Sequence, residues 1–104
     1  MDVKELFEKI EAQFDADAAG DRELKVNCVV DGVGTWCVNV ADGSCSVEEG
    51  EADDATATME ADEETWVGIY DKSVDGTTAF MTGKIRIQGN MGDILKMQKV
   101  FGLM

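Results

Sequence analysis

The adjacent carboxylates Asp53-Asp54 and Glu63-Glu64 are the residues whose types could do acid and base chemistry. Neighbouring acids on a strand point to opposite faces, and two acids in the first turn of a helix face solvent and serve its dipole. Glu48, Glu49, Glu51, Asp53 and Asp54 could bind calcium, but the stretch lacks the Asp-x-Asp-x-Asp-Gly spacing of an EF-hand. Cys28, Cys37 and Cys45 have no metal-ligand spacing, and with no histidine in the chain the usual zinc arrangements are short of ligands. The alternation of the strands puts Cys28 and Cys37 on opposite faces, and puts Cys28 and Cys45 on strands separated by a third. Neither pair can reach disulfide distances, so all three read as packing thiols in a reducing compartment. The expectation is a protein that is not an enzyme and carries neither metal nor cofactor.

Gln98 is the polar residue most out of place. At about 100° per residue, Met91, Ile94, Leu95, Met97 and Phe101 share one broad arc of a C-terminal helix, with Lys96 and Lys99 on the other side. Gln98 falls near the centre of the apolar arc. Such a side chain must find a partner or cost about 1–3 kcal/mol. A backbone group, a water or the head of a ligand would each serve.

The elements that position these residues follow from capping and periodicity. Asp2 with Glu5 is a capping signature, and Val3, Leu6, Phe7, Ile10 and Phe14 form one helical stripe, predicting a helix from Val3 to Asp15. Asp15 to Asp21 reads as a linker or a frayed continuation. Alternation then predicts strands at Leu24 to Val30, Thr35 to Ala41 and Ser44 to Glu49, joined by Asp31-Gly32 and Asp42-Gly43 turns into an antiparallel meander. A fourth strand is expected at Asp54 to Glu60. Asp62 caps a helix with Trp66, Val67 and Tyr70 on its buried side, and Asp71 to Thr78 reads as a loop. A fifth strand at Lys84 to Gln88 turns Ile85 and Ile87 inward, and Asn90 caps the last helix. With no repeat, low-complexity tract or proline to mark a boundary, residues 1–104 read as a single α+β domain.

The run Ala79-Phe80-Met81-Thr82-Gly83-Lys84-Ile85-Arg86-Ile87-Gln88-Gly89-Asn90-Met91, followed by Lys96-Met97, resembles the C-terminal signature of the sterol carrier protein 2 family. Gly34-Thr35-Trp36, the run from Ala52 to Met59, and Asp62 to Trp66 also match, so the likeness covers about Val26 to Phe101. It implies a five-stranded, mainly antiparallel sheet with helices packed on one face, enclosing an apolar tunnel. The implied function is non-enzymatic binding and transfer of a lipid-like molecule: a fatty acid, fatty acyl thioester, sterol or phospholipid. The loop Asp71 to Thr78 lacks the proline frequent in the family, and Thr82 stands where glutamine is frequent, so a different pocket floor is expected. The lining expected here is Trp66, Tyr70, Phe80, Met81, Ile85, Ile87, Met91, Ile94, Leu95 and Phe101, with Gln98 as the polar contact. Methionines in such a wall would suit variable ligands. An accessory or regulatory protein-interaction module, with its tunnel filled by side chains, is the alternative.

The net charge of -13 argues against nucleic-acid binding, which rests on neutralising phosphates. It is spread unevenly, at -4 over Met1 to Lys25, -12 over Val26 to Asp71 and +3 over Lys72 to Met104. Lys72, Lys96 and Lys99 could therefore turn a pocket mouth toward anionic membranes, a possible transient contact. The N-terminus lacks the basic start and apolar run of a signal peptide, so a cytoplasmic location is expected.

Overall fold

Asp2 opens the first helix, α1 (Val3–Ala12), by accepting from the Glu5 backbone N–H at 2.8 Å. The computed structural model to which this helix belongs describes residues 2–103. The helix stops three residues short of the expected Asp15, because Asp15 turns away to cap a one-turn helix, α2 (Ala16–Ala19), accepting from the N–H groups of Asp17 and Ala18. Four strands follow: β1 (Leu24–Val30), β2 (Gly34–Ala41), β3 (Ser44–Glu49) and β4 (Ala57–Ala61). After them come α3 (Glu63–Asp71), α4 (Gly76–Met81), β5 (Arg86–Gly89) and α5 (Met91–Val100).

The sheet has five strands in the order β3-β2-β1-β4-β5. Three pairings are antiparallel, and β1 with β4 is parallel. Register decides which side chains share a face: Cys28 lies opposite Trp36 on one side and Met59 on the other, and Met59 opposite Ile87. That face carries Val26, Val30, Val38, Val40, Ala57 and Ala61, all buried beneath the helices. Lys25, Cys37, Asn39 and Glu48 point the other way, so Cys28 and Cys37 are on opposite faces, as expected. Asn27, buried on that polar face, donates to the Ala52 carbonyl and accepts from its N–H, pinning the link between β3 and β4. Glu11 accepts from the outward N–H of Val47 at 2.8 Å and covers the β3 edge.

Phe7 is the hub of the helix layer, stacked on Trp36 at 5.0 Å and tilted against Trp66 at 5.5 Å. The buried side of α3 is Thr65, Trp66, Gly68 and Ile69, rotated from the expected Trp66, Val67 and Tyr70. The cause is Gly68: a Cβ there would lie 2.3 Å from Val74, so its hydrogen leaves the space in which the following loop seats. The expected loop of Asp71 to Thr78 holds the start of α4, capped by Asp75 and begun by Gly76, Thr77 and Thr78, all weak helix formers. The last strand begins at Arg86 and not at Lys84, because the N–H groups of Lys84 and Ile85 both turn to the Ala79 carbonyl that ends α4. Gly89 has φ +86 and sits where a Cβ would be 2.5 Å from the Thr56 carbonyl oxygen, while Asn90 caps α5 through the Asp93 N–H. The Gly89-Asn90 pair is thus the hinge point between β5 and α5.

Candidate functional site

α4 and α5 bound a mainly apolar cleft of about 400 Å³, lined by Lys72, Val74, Asp75, Gly76, Thr77, Gln98 and Leu103. Gln98 is only 8% exposed, and the oxygen and nitrogen of its amide each lie 3.8 Å from where a Gly76 Cβ would be. The helical arc placed this residue inward, and the structure aims it into the cleft. No hydrogen bond to its side chain occurs among the described residues. Leu103 and Val74 supply the apolar walls, and Leu103 is fixed by its N–H to the Gln98 carbonyl at 2.7 Å. Lys72 stands at the rim. It ends α3 in the left-handed conformation, φ 67, a backbone state that favours glycine. A second cleft of about 320 Å³, lined by Val74, Thr78, Ala79, Thr82 and Lys84 among others, also borders α4 and shares Val74 and Asp75 with the first.

The other expected lining residues divide into two groups. Trp66, Ile85, Ile94 and Phe101 are buried in the core, where Trp66 donates its indole N–H to the Val29 carbonyl at 3.0 Å and Phe101 tilts against Phe14 at 5.7 Å. Tyr70 and Ile87 are half-buried at its margin. Phe80, Met81, Met91 and Leu95 are instead 41%, 79%, 39% and 49% exposed. The apolar arc expected on α5 is therefore split: Ile94, Met97 and Val100 pack against the sheet while Met91 and Leu95 face outward. The split arises because α5 rests on β1 and β4 through a narrower stripe than the arc contains.

Periodicity missed Asp93, which lies buried on the packed side of α5 and accepts from the Thr56 hydroxyl and from the Arg22 guanidinium. Those two hydrogen bonds, Thr56 first, hold its carboxyl below the usual carboxylate range. All three thiols are pushed up, chiefly by burial, and are poor nucleophiles at neutral pH. Among the described residues no three His, Cys, Asp or Glu side chains gather as metal ligands, and no helix is long and apolar enough to cross a membrane.

Comparison with known proteins speaks for the fold and the family. Hydroxysteroid dehydrogenase-like protein 2 of Xenopus tropicalis is 30% identical over 105 residues, covering 98% of this chain and 25% of that protein. The chain thus spans about a quarter of the length of that curated relative. The solution structure of palmitated SCP2L2 from Aedes aegypti has a TM-score of 0.77 at 22% identity, covering 97% of this chain and 95% of that one. A double mutant of the sec-alkyl sulfatase PisA1 contains the same fold, with a TM-score of 0.87 at 17% identity over 96% of this chain and 16% of that one. At such identities the two structures speak for the fold alone. The description of the SCP-2 sterol transfer family matches residues 3–102, the span that holds the sheet, the helix layer and the Gly89-Asn90 turn, and the chain belongs to that family.

Proposed function

We propose that the chain is a non-enzymatic carrier that holds one lipid in the cleft between α4 and α5. Membership of a sterol transfer family supports lipid binding and transfer in general. The relatives whose names denote enzymes, the dehydrogenase-like protein and the sulfatase, are matched over only 25% and 16% of their lengths. The finer reading is a single-chain ligand, a fatty acid or fatty acyl thioester, with its polar end at Gln98 and Lys72 and its chain against Val74 and Leu103. The observation that carries it is Gln98, nine-tenths buried with its amide turned into an apolar cleft. A neutral amide can donate to a carbonyl or carboxylate and accept from a hydroxyl, so it tolerates several head groups. Three cysteines that form no disulfide among the described residues support a cytoplasmic setting, and loading and unloading such a ligand calls for transient membrane contact.

Native mass spectrometry of the delipidated protein, with and without added palmitate, tests the carrier. We expect a one-to-one adduct and, at about 100 times the dissociation constant, stabilisation by about 2.7 kcal/mol, read as a melting point several degrees higher. Gln98→Leu should keep the fold and weaken the adduct roughly tenfold, a hydrogen bond's worth. No adduct with any acyl chain or sterol would favour the second reading, a protein-interaction module. That reading draws on Trp66, Ile94 and Phe101, whose side chains fill the core.

A further inference from the structure

Phe80, Met81, Met91 and Leu95, the four large apolar side chains left exposed among the described residues of the C-terminal third, all lie on α4 and α5. Met91, Leu95 and Lys99 follow one another at intervals of four and so share a stripe of α5. The charge of this segment is equally particular. Of its two acids, Asp75 is held as the cap of α4 and Asp93 is buried under Arg22 and Thr56. Of its bases, Arg86 pairs with Asp31. That leaves Lys72, Lys84, Lys96 and Lys99, none of which makes an ion pair among the described residues. Lys72 and Lys84 stand on the rims of the two clefts that border α4.

We propose that this face, α4 with the outer stripe of α5, docks on anionic lipid bilayers, its four apolar side chains entering the interface and its four lysines meeting the head groups. Exposed methionine, leucine and phenylalanine beside unpaired lysines match a surface that is apolar below and negative above. Each lysine near such a surface contributes about fivefold in partitioning. A second copy of the chain is a poor occupant, because it would bring the same lysines and a further charge of -13. The acids of β3 do not cancel the attraction at a distance, since the molecule is 32 × 26 × 25 Å against a screening length of about 8 Å in physiological salt. Asp62, whose charge Lys84 feels, and Glu64 and Asp71, which border Val74 next to α4, offset part of it. β3, with Glu48 and Glu49, lies at the opposite edge of the sheet from β5. The use of the face for lipid exchange rests on the carrier reading; the docking itself does not.

Flotation with phosphatidylcholine vesicles, with and without phosphatidylglycerol, tests the proposal. We expect binding at least about tenfold stronger to the anionic vesicles, lost in high salt. The double change Phe80→Ser with Leu95→Ser should weaken it about tenfold, and Lys96→Glu with Lys99→Glu should remove the anionic preference, with circular dichroism unchanged in both. Equal binding to both vesicle types, or variants that bind as wild type, would overturn it. So would dimerisation without vesicles that the Phe80 and Leu95 changes abolish. Palmitate uptake by a wild type that does not float would sink the docking alone, and flotation by a protein that takes up no lipid would sink the carrier alone.

Discussion

Asp93 ties together three parts of the chain: it is buried on α5, and its carboxylate accepts from Thr56 ahead of β4 and from Arg22 ahead of β1. Because the folded pKa lies below the ordinary value of about 3.9, the contribution is fully present above that value. It is lost as pH falls below it, through the depressed folded value. Asp93→Asn should cost about 1–3 kcal/mol at pH 7 and flatten the acid side of the stability profile, as urea melts between pH 3 and 7 would report. An unchanged acid limb would mean the carboxylate is not the group that titrates. Gln98 was legible in the sequence because helical spacing alone puts it in the apolar arc. Asp93 was not, since its partners are 37 and 71 positions away and no local pattern encodes them.

Elements differ in legibility for a similar reason. β1 to β3 were readable because alternation and two Asp-Gly turns are local signals, and β3 runs from Ser44 to Glu49 as expected. α4 was hidden because its six residues open with glycine and two threonines, and its helicity comes from the Asp75 cap and from packing at Ala79. The link from α3 to α4 also holds the strained Lys72. Lys72→Gly should raise stability by about 1 kcal/mol by relieving the left-handed backbone, while weakening affinity for a carboxylate ligand at the cleft rim. Urea denaturation and palmitate titration of one variant would show the two effects moving in opposite directions. A loss of both would place the lysine in the fold and not at the site.

Across the whole molecule the excess of acid opposes compaction. With a charge of -13, of which -12 falls between Val26 and Asp71, like charges crowd the end of β3, the link after it and the start of α3. Shortening the screening length from about 10 Å at 0.1 M salt to about 3 Å at 1 M should relieve that repulsion. We expect the melting point to climb by about 5 °C or more across this range, equivalent to about 1 kcal/mol. A flat response would show that the acids are already compensated by their neighbours. Composition made this property legible, and register made the one-sided helix layer so. The form of the α4–α5 cleft was not, because it depends on how Gly68 seats Val74, a contact no local pattern encodes.

The parallel pairing of β1 with β4 in the middle of the sheet also orders events in time. β1, β2 and β3 can zip together through tight turns, but β1 cannot gain its other neighbour until the chain from Asp31 to Thr56 has been laid down and closed. Until then the hydrogen-bonding edge of β1 is open, beside Val26, Cys28 and Val30, the combination that invites intermolecular pairing. The acids that burden the finished molecule would at that moment keep nascent chains apart.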